Sequence, residues 1–300
     1  MSRKIACITL DVEADFNDPE GRILLFEDEA LLNRYARIIE ENGVKLTAFL
    51  ATSLLDRYGD QYRRLHELIP VEFEIHSHAH DTRNPCSRAD IEAAVSAFHG
   101  FTGKDPTGYR APVGQVTREG LDTLLDLGFR YDSSIYPSVR PGRPGYNNLH
   151  LPVTPFKITR DAKSIIEVPF ACLPGVRLVF SLSYVKLMGW RTYGLLMKPF
   201  PLPDQVAVLS HPYDHYFHLL PDDVRGWEKP LLRRNARSAF ELLEKMLRFL
   251  RARGYEFEFM SGLCDYLEAN PLREIPIERV LRERSKPSRQ SDQTTHARPG

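Results

Sequence analysis

Cysteine is scarce in this 300-residue chain: Cys7, Cys86, Cys172 and Cys264 lie far apart, none in a C-x-x-C pair, and no N-x-[ST] acceptor occurs. A disulfide framework or a thiolate zinc site therefore has no support, and the cysteines read as the reduced thiols of a cytoplasmic protein. Net charge is also lacking, with 40 Lys+Arg against 40 Asp+Glu, which argues against a nucleic-acid partner held by bulk charge. No apolar run long enough for a signal peptide precedes the acidic cluster at Asp11, so export by that route is not expected. The longest apolar segment, residues 176–200, is interrupted by Arg177, Lys186, Arg191 and Lys198, each costing about 2.5–3.5 kcal/mol near the centre of a membrane helix. A G-x-S-x-G elbow, a P-loop and a G-x-G-x-x-G fingerprint are all missing, which removes the commonest covalent-hydrolase and nucleotide-binding signatures. No repeat of 20–50 residues is evident.

What remains has the composition of a soluble globular chain, 42% hydrophobic and 27% charged. β-branched and apolar runs predict strands over residues 4–13, 45–50, 71–76, 129–132, 165–170, 206–210 and 255–260, with a short one at Tyr109. Helical spacing of Leu31, Leu32, Tyr35, Ile38 and Ile39 predicts a helix stopped by Gly43, and further helices are expected over 61–69, 87–98, 117–127 and 231–253. Such alternation argues for parallel strands joined by right-handed crossovers. The expected fold is α/β, a distorted (β/α) barrel of about seven or eight units. It forms a single domain over residues 1–270, followed by an extension over 271–300 that reads as disordered from about residue 285. Residues 137–155, dense in Pro and Gly, read as a long loop.

The unusual polar residues fall at the carboxyl ends of these strands: Asp11 and Glu13, then His76, His78 and His80, then Arg110, Asp132 and His211. In an α/β barrel those ends share one face and converge on one site. His76-Ser77-His78-Ala79-His80 is the strongest signal, since imidazoles are the commonest ligands for zinc, copper, iron or nickel. Two imidazoles and one carboxylate leave positions open for water, as a hydrolytic metal requires. Asp11, Glu13 and Asp15 recur at period two, which on a continuing strand aims three carboxylates at one face and favours a cation among them. Either Glu13 or Asp15 can serve as the acidic ligand.

Thr9-Leu10-Asp11-x-Glu13, His76-Ser77-x-x-His80, Arg110-x-Pro112-x-Gly114, Tyr131-Asp132-Ser133-Ser134 and Leu209-Ser210-His211 resemble, in order, the five motifs of the polysaccharide deacetylases, the NodB-homology enzymes of carbohydrate esterase family 4. The resemblance implies Asp11 as general base, Glu13, His76 and His80 as metal ligands, and His211 as general acid. It further implies that Arg110 holds Asp11, that Asp132 orients and tunes His211, and that Leu209 lines the pocket for the acyl methyl. The first motif departs from the commoner adjacent aspartates, and Val113 stands where an aromatic residue is frequent. The backbone N–H at Val113 still suits an oxyanion, because that role needs no side chain.

The expected activity is metal-dependent removal of an N-acyl group, foremost acetyl, from an amino sugar in a glycan or in its cytoplasmic or lipid-linked precursor. Zinc is the first choice of metal, with cobalt, nickel or manganese as alternatives. Two rivals keep the fold: hydrolysis of a cyclic imide or ureide, and a silent glycan-binding barrel. Pro112 and Tyr213 are added as substrate contacts, Tyr213 because aromatic rings stack on sugar faces. Residues 176–200 are read either as a helix covering the barrel or as a helix lying against the inner membrane face. Trp227 and the basic face of Arg233, Arg234 and Arg237 read as a solvated helix surface.

Overall fold

The computed structural model describes residues 2–18, 20–142, 145–220 and 232–281. The expected disordered tail, Trp227 and the first residue of the expected 231–253 helix lie outside them. Strand β1 (Ile5–Val12) is buried at every position, as a near-continuous apolar run demands when neighbours flank it on both edges. It pairs in parallel with β12 (Gln205–Ser210) on one side and β2 (Leu46–Leu50) on the other. From β2 the parallel order runs through β3 (Val71–Ile75), β4 (Gly108–Tyr109), β5 (Tyr131–Asp132) and β9 (Lys163–Glu167). A parallel bridge between Phe170 and Ala207 then joins the chain after β9 to β12, with Ala171 N–H donating to the Ala207 carbonyl at 2.8 Å. Seven strands thus trace a ring closed at one point.

Side chains along β1 alternate between two environments, because successive residues of a strand face opposite ways. Ala6, Ile8, Leu10 and Val12 pack outward against helices α2 (Glu29–Glu41) and α3 (Leu55–Leu68) in the largest core. Ile5 and Cys7 point inward to a smaller core with Phe49, Tyr131 and the helix Met260–Glu268. Thr9 and Asp11 continue the inward set. The interior is therefore apolar where β1 begins and polar where it ends.

The helices start where the sequence supplies caps. Asp28 accepts from Ala30 N and Leu31 N ahead of α2, Ser87 accepts from Asp90 N ahead of α4 (Arg88–Thr102), and Thr117 accepts from Gly120 N ahead of α5 (Arg118–Leu127).

Five expectations about secondary structure need correction. Residues 137–155 are not only loop: β6 (Val139–Arg140) and β7 (Tyr146–Asn147) pair antiparallel within them. The strand expected over 165–170 is the second arm of an antiparallel hairpin whose first arm, β8 (Phe156–Arg160), carries the edge strand β14 (Glu274–Pro276). Residues 176–200 do not form one helix. They fold as part of a small hairpin, β10 (Cys172–Leu173) with β11 (Leu178–Val179), then α6 (Leu182–Met188) and α7 (Trp190–Leu196), separated at Gly189 by a φ of 84°. The 231–253 helix is interrupted at Asn235, whose φ of 55° is left-handed, so the continuous helix is Ala239–Ala252. Likewise the last expected strand shrinks to β13 (Glu256–Phe257), because Met260 opens the next helix. Among the described residues, no helix is long and apolar enough to cross a membrane, and all four cysteines are free and buried.

Candidate active site

The inward rows of β1, β3, β4, β5 and β12 end on one rim, where Asp11, His76, Arg110, Asp132 and His211 each stand within one residue of the end of their strands. Arg110 organises the interior beneath them. Its guanidinium is fully buried and donates through Nε to the Ser133 carbonyl (2.9 Å), through Nη1 to Thr9 Oγ1 (2.7 Å) and Asp11 Oδ1 (2.6 Å), and through Nη2 to Ser133 Oγ (2.8 Å). The rings of Phe49 and Phe170 lie 4.0 and 4.7 Å from its central carbon. A planar fork held at every edge fixes the Asp11 carboxylate in one orientation.

Beside Asp11, the donor atoms of Glu13, His76 and His80 lie within 4.8 Å of one another. His76 Nδ1 donates to the Arg110 carbonyl at 2.9 Å, which leaves Nε2 as the lone-pair nitrogen, 3.5 Å from Glu13 Oε2 and 4.0 Å from Asp11 Oδ2. His80 Nε2 sits against Glu13 Oε2, buried and without a hydrogen bond of proper geometry. Burial pushes the Glu13 carboxyl up, but His80 and His76 outweigh it and hold the group well below the usual carboxylate range.

The ligand loop is strained and supported. Ser77 and His80 both take left-handed φ values, 70° and 52°, a cost tolerated where the surroundings over-determine the conformation. Ser77 Oγ accepts from His80 N at 3.1 Å, and the Asp90 carboxylate on α4 accepts from His78 N (2.9 Å) and Ala79 N (2.8 Å). The His78 ring turns away, its Nδ1 3.0 Å from Thr52 Oγ1. These donor types fit a divalent ion: two imidazole nitrogens with one tautomer fixed by an outer partner, one carboxylate oxygen, and an orphaned buried Nε2 aimed at the same point.

Asp15 is not part of this set. Strand β1 stops at Val12, and Asp15 lies in a 3₁₀ turn, accepting from Leu24 N (2.7 Å) and Tyr216 Oη (2.5 Å). The period-two reading fails there because the strand ends three residues too early. Burial raises the Asp15 carboxyl to about 7.

His211 lies near enough to Glu13 and Asp11 for their charges to act on it, and its partner differs from the expected one. No hydrogen bond or ion pair joins Asp132 to it. Asp132 accepts from Ser134 Oγ and stands opposite Glu167 across the β5–β9 pairing; both carboxyls are fully buried, burial brings Asp132 to about 6, and burial together with the charge of Asp132 pushes Glu167 well above the usual carboxylate range. The carboxylate on His211 is Asp214, three residues on in the same 3₁₀ turn (Pro212–His215). Its Oδ2 lies 3.0 Å from His211 N and 3.2 Å from His211 Nδ1. Burial lowers the His211 imidazole, but the bond to Asp214 and the charges of Glu13 and Asp11 prevail and raise it to about 9. A carboxylate three positions after a histidine that ends a strand was the available sequence signal, because that spacing allows a capping bond.

Of the expected substrate contacts, Tyr213 stacks on His211 (4.9 Å between centroids, 9° between planes) and its Oη is 3.2 Å from Glu13 Oε1. Its ring is thus part of the site wall. Leu209 is buried on β12 beside Thr9, and Pro112 begins a 3₁₀ turn in which Val113 has a φ of 50°. Gly114 follows with a φ of 65°, and a side chain there would meet the Tyr136 ring at 2.4 Å. That ring stacks in turn on Phe170 (4.0 Å) and on Tyr146 of β7 (5.3 Å).

Residues 15–131 match the family described as Polysaccharide deacetylase. The matched span holds His76, His80, Arg110, Pro112 and Val113, while Asp11, Glu13, Asp132 and His211 lie outside it. No curated protein is similar enough in sequence to match. Among solved structures, a Mycobacterium smegmatis protein named as a polysaccharide deacetylase is 16% identical, with 90% of this chain and 94% of that chain covered and a TM-score of 0.55. A Pseudomonas aeruginosa PAO1 protein named likewise is 13% identical, with 89% and 91% covered and a TM-score of 0.54. At these identities the likeness is one of fold. The match agrees with the resemblance that the motifs carry over residues 15–131: that segment is similar to the polysaccharide deacetylase family, and the chain as a whole has the α/β fold of solved proteins that bear the family's name.

Proposed function

We propose that this protein is a metal-dependent hydrolase of a linear amide, removing an N-acyl group, foremost acetyl, from an amino sugar. The observation that carries the reading is the meeting of Glu13, His76 and His80 donor atoms within 4.8 Å, with Asp11 Oδ2 4.0 Å from His76 Nε2 and His211 within reach of the Glu13 and Asp11 charges. Glu13, His76 and His80 would hold the ion, for which zinc is our first choice. When bound, a divalent ion acidifies water and polarises a carbonyl oxygen.

The remaining work falls to residues of the chain. Asp11, oriented by Arg110, takes a proton from the attacking water. The Val113 N–H stands ready for the oxyanion, and Leu209 and Pro112 border the acyl methyl. His211 delivers a proton from Nε2 to the departing amine, its Nδ1 being held by Asp214. Because its imidazole is raised to about 9, it is protonated at neutral pH. The substrate we infer is a glycan or a cytoplasmic or lipid-linked precursor of one.

The test is metal analysis of the purified chain, followed by acetate and free-amine release from N-acetylhexosamine oligomers, nucleotide sugars and lipid-linked sugars, with and without chelator. Stoichiometric metal with chelator-sensitive release supports the proposal. Ring opening of cyclic imides in place of acetate release would transfer the site to that reaction, and metal binding without turnover of any substrate would leave a binding protein.

A further inference from the structure

Helix α6 reaches into the site from outside the strands. Ser183 and Lys186 are three residues apart and so share one face of it. Both end on Asp214: Lys186 Nζ donates to Oδ1 at 3.1 Å and to the Asp214 carbonyl at 2.8 Å, and Ser183 Oγ donates to Oδ2 at 2.7 Å. Lys186 and Asp214 are 1% and 0% exposed as side chains. With His211 N and Nδ1 also on Oδ2, the aspartate is engaged at both oxygens and cannot rotate without breaking several bonds. The helix is itself anchored. Ser181 caps it by accepting from Tyr184 N, Leu182 and Val185 are fully buried, and Asn235 Nδ2 donates to the Lys186 carbonyl at 2.7 Å.

A buried ion pair is weak evidence of stabilisation, since apolar side chains of similar volume often serve the fold as well. Its value lies in what it orients. The aspartate it fixes also determines which nitrogen of His211 faces inward and which remains free, while Tyr213 covers one face of the ring. Lys186, one of the charges that interrupt the apolar run 176–200, is therefore turned into the barrel and away from any external surface.

We propose that Lys186 and Ser183 are positioning residues for His211, acting through Asp214, so that α6 sets the placement of the proton donor. The inference rests on the hydrolase reading, with His211 as general acid. The groups whose charge reaches the His211 ring are Asp214, Glu13 and Asp11 on the acidic side and His80 on the basic side. Lys186 and Arg34 add charge at the neighbouring His215.

The experiment uses the full-length, zinc-loaded chain with ring-labelled histidine. It follows the His211 resonances against pH by NMR, alongside the pH profile of kcat/KM. Lys186→Met removes a cation from the far side of Asp214, so the His211 midpoint should move up by about half a unit or more. The same variant should lower kcat about tenfold or more with KM within about twofold, as loss of alignment does. Asp214→Asn should move the midpoint down, Lys186→Arg should restore the wild-type titration, and Ser183→Ala should shift the midpoint upward by less than Lys186→Met. Opposite signs for the lysine and aspartate variants are the signature that a merely structural role would not give. If Lys186→Met does not fold, Ser183→Ala and Lys186→Arg decide the matter by the same readouts. A His211 titration unchanged in both Lys186→Met and Ser183→Ala, or unchanged in Ser183→Ala where Lys186→Met cannot be obtained, overturns the proposal. Because the NMR titration needs no substrate, absence of deacetylation would count against the hydrolase reading and leave the positioning question answerable.

Discussion

Arg110→Met offers the most direct test of how the interior is held. The guanidinium is fully buried, makes four hydrogen bonds and lies between two phenylalanine rings. Removing it leaves the Asp11 carboxylate, 3% exposed, without its counter-charge. Loss of one partner of a buried pair costs about 3–5 kcal/mol, and the desolvated cation–ring contacts carry about 2 kcal/mol of such a total. We expect Arg110→Met to lose about 4 kcal/mol in urea unfolding of the chelator-treated chain, where metal binding adds nothing to the difference. The double variant Arg110→Met/Asp11→Asn removes the orphaned charge as well and should recover at least about 1 kcal/mol of that loss, a coupling well above the error of a double-mutant cycle. The outcome that would refute the reasoning is a single variant within about 1 kcal/mol of wild type, or a double variant no better than the single, since either means that Asp11 does not depend on Arg110.

Further outcomes follow from the same geometry. Asp11→Asn should retain metal by elemental analysis yet lose hydrolysis by about a hundredfold or more. Glu13→Gln and His80→Ala should each lose metal, whereas Asp15→Asn should keep it, because Asp15 is committed to Leu24 N and Tyr216 Oη; metal loss in Asp15→Asn alone would return Asp15 to the ligand set. His211, raised to about 9 from an ordinary histidine value of 6.5, stabilises the fold fully below about pH 6.5 and ceases to do so as pH rises through 9, by at most about 3 kcal/mol. Unfolding free energy should therefore fall across that window in the wild type and stay flatter in Asp214→Asn. The alkaline limb of kcat/KM should lie above the ordinary histidine value of 6.5 and move down in Asp214→Asn; a limb unmoved by that variant would remove the Asp214 contact from the account.

Much of the site was legible in the order of residues alone. His76 and His80 follow an apolar strand at a spacing that brings both rings to one point, Asp11 ends a strand whose odd-numbered residues face inward, and Arg110 and His211 end two others. Each of those readings needs only the strand's period of two and the convergence of strand ends in a parallel ring. The failures have a common cause. Asp15 was placed with Asp11 and Glu13 by extending a periodicity beyond the residue where hydrogen bonding to β2 stops at Val12. Residues 176–200 looked like one apolar helix, but Gly189, at a φ of 84°, divides them.

What the sequence determined by itself was the alternation of strands and helices and the residue types offered as metal donors, all of which depend on neighbours a few positions apart. Tertiary structure alone decided which carboxylate meets which base. Asp132 and Asp214 both lie at strand ends near the rim, yet Asp132 is drawn to Ser134 and Glu167 by the register of β5 on β9, while Asp214 is captured by Lys186 and Ser183 from a helix some thirty residues earlier. Hydrogen bonds and ion pairs act over a few ångströms in space, and distance along the chain does not report that separation once the chain has folded back on itself.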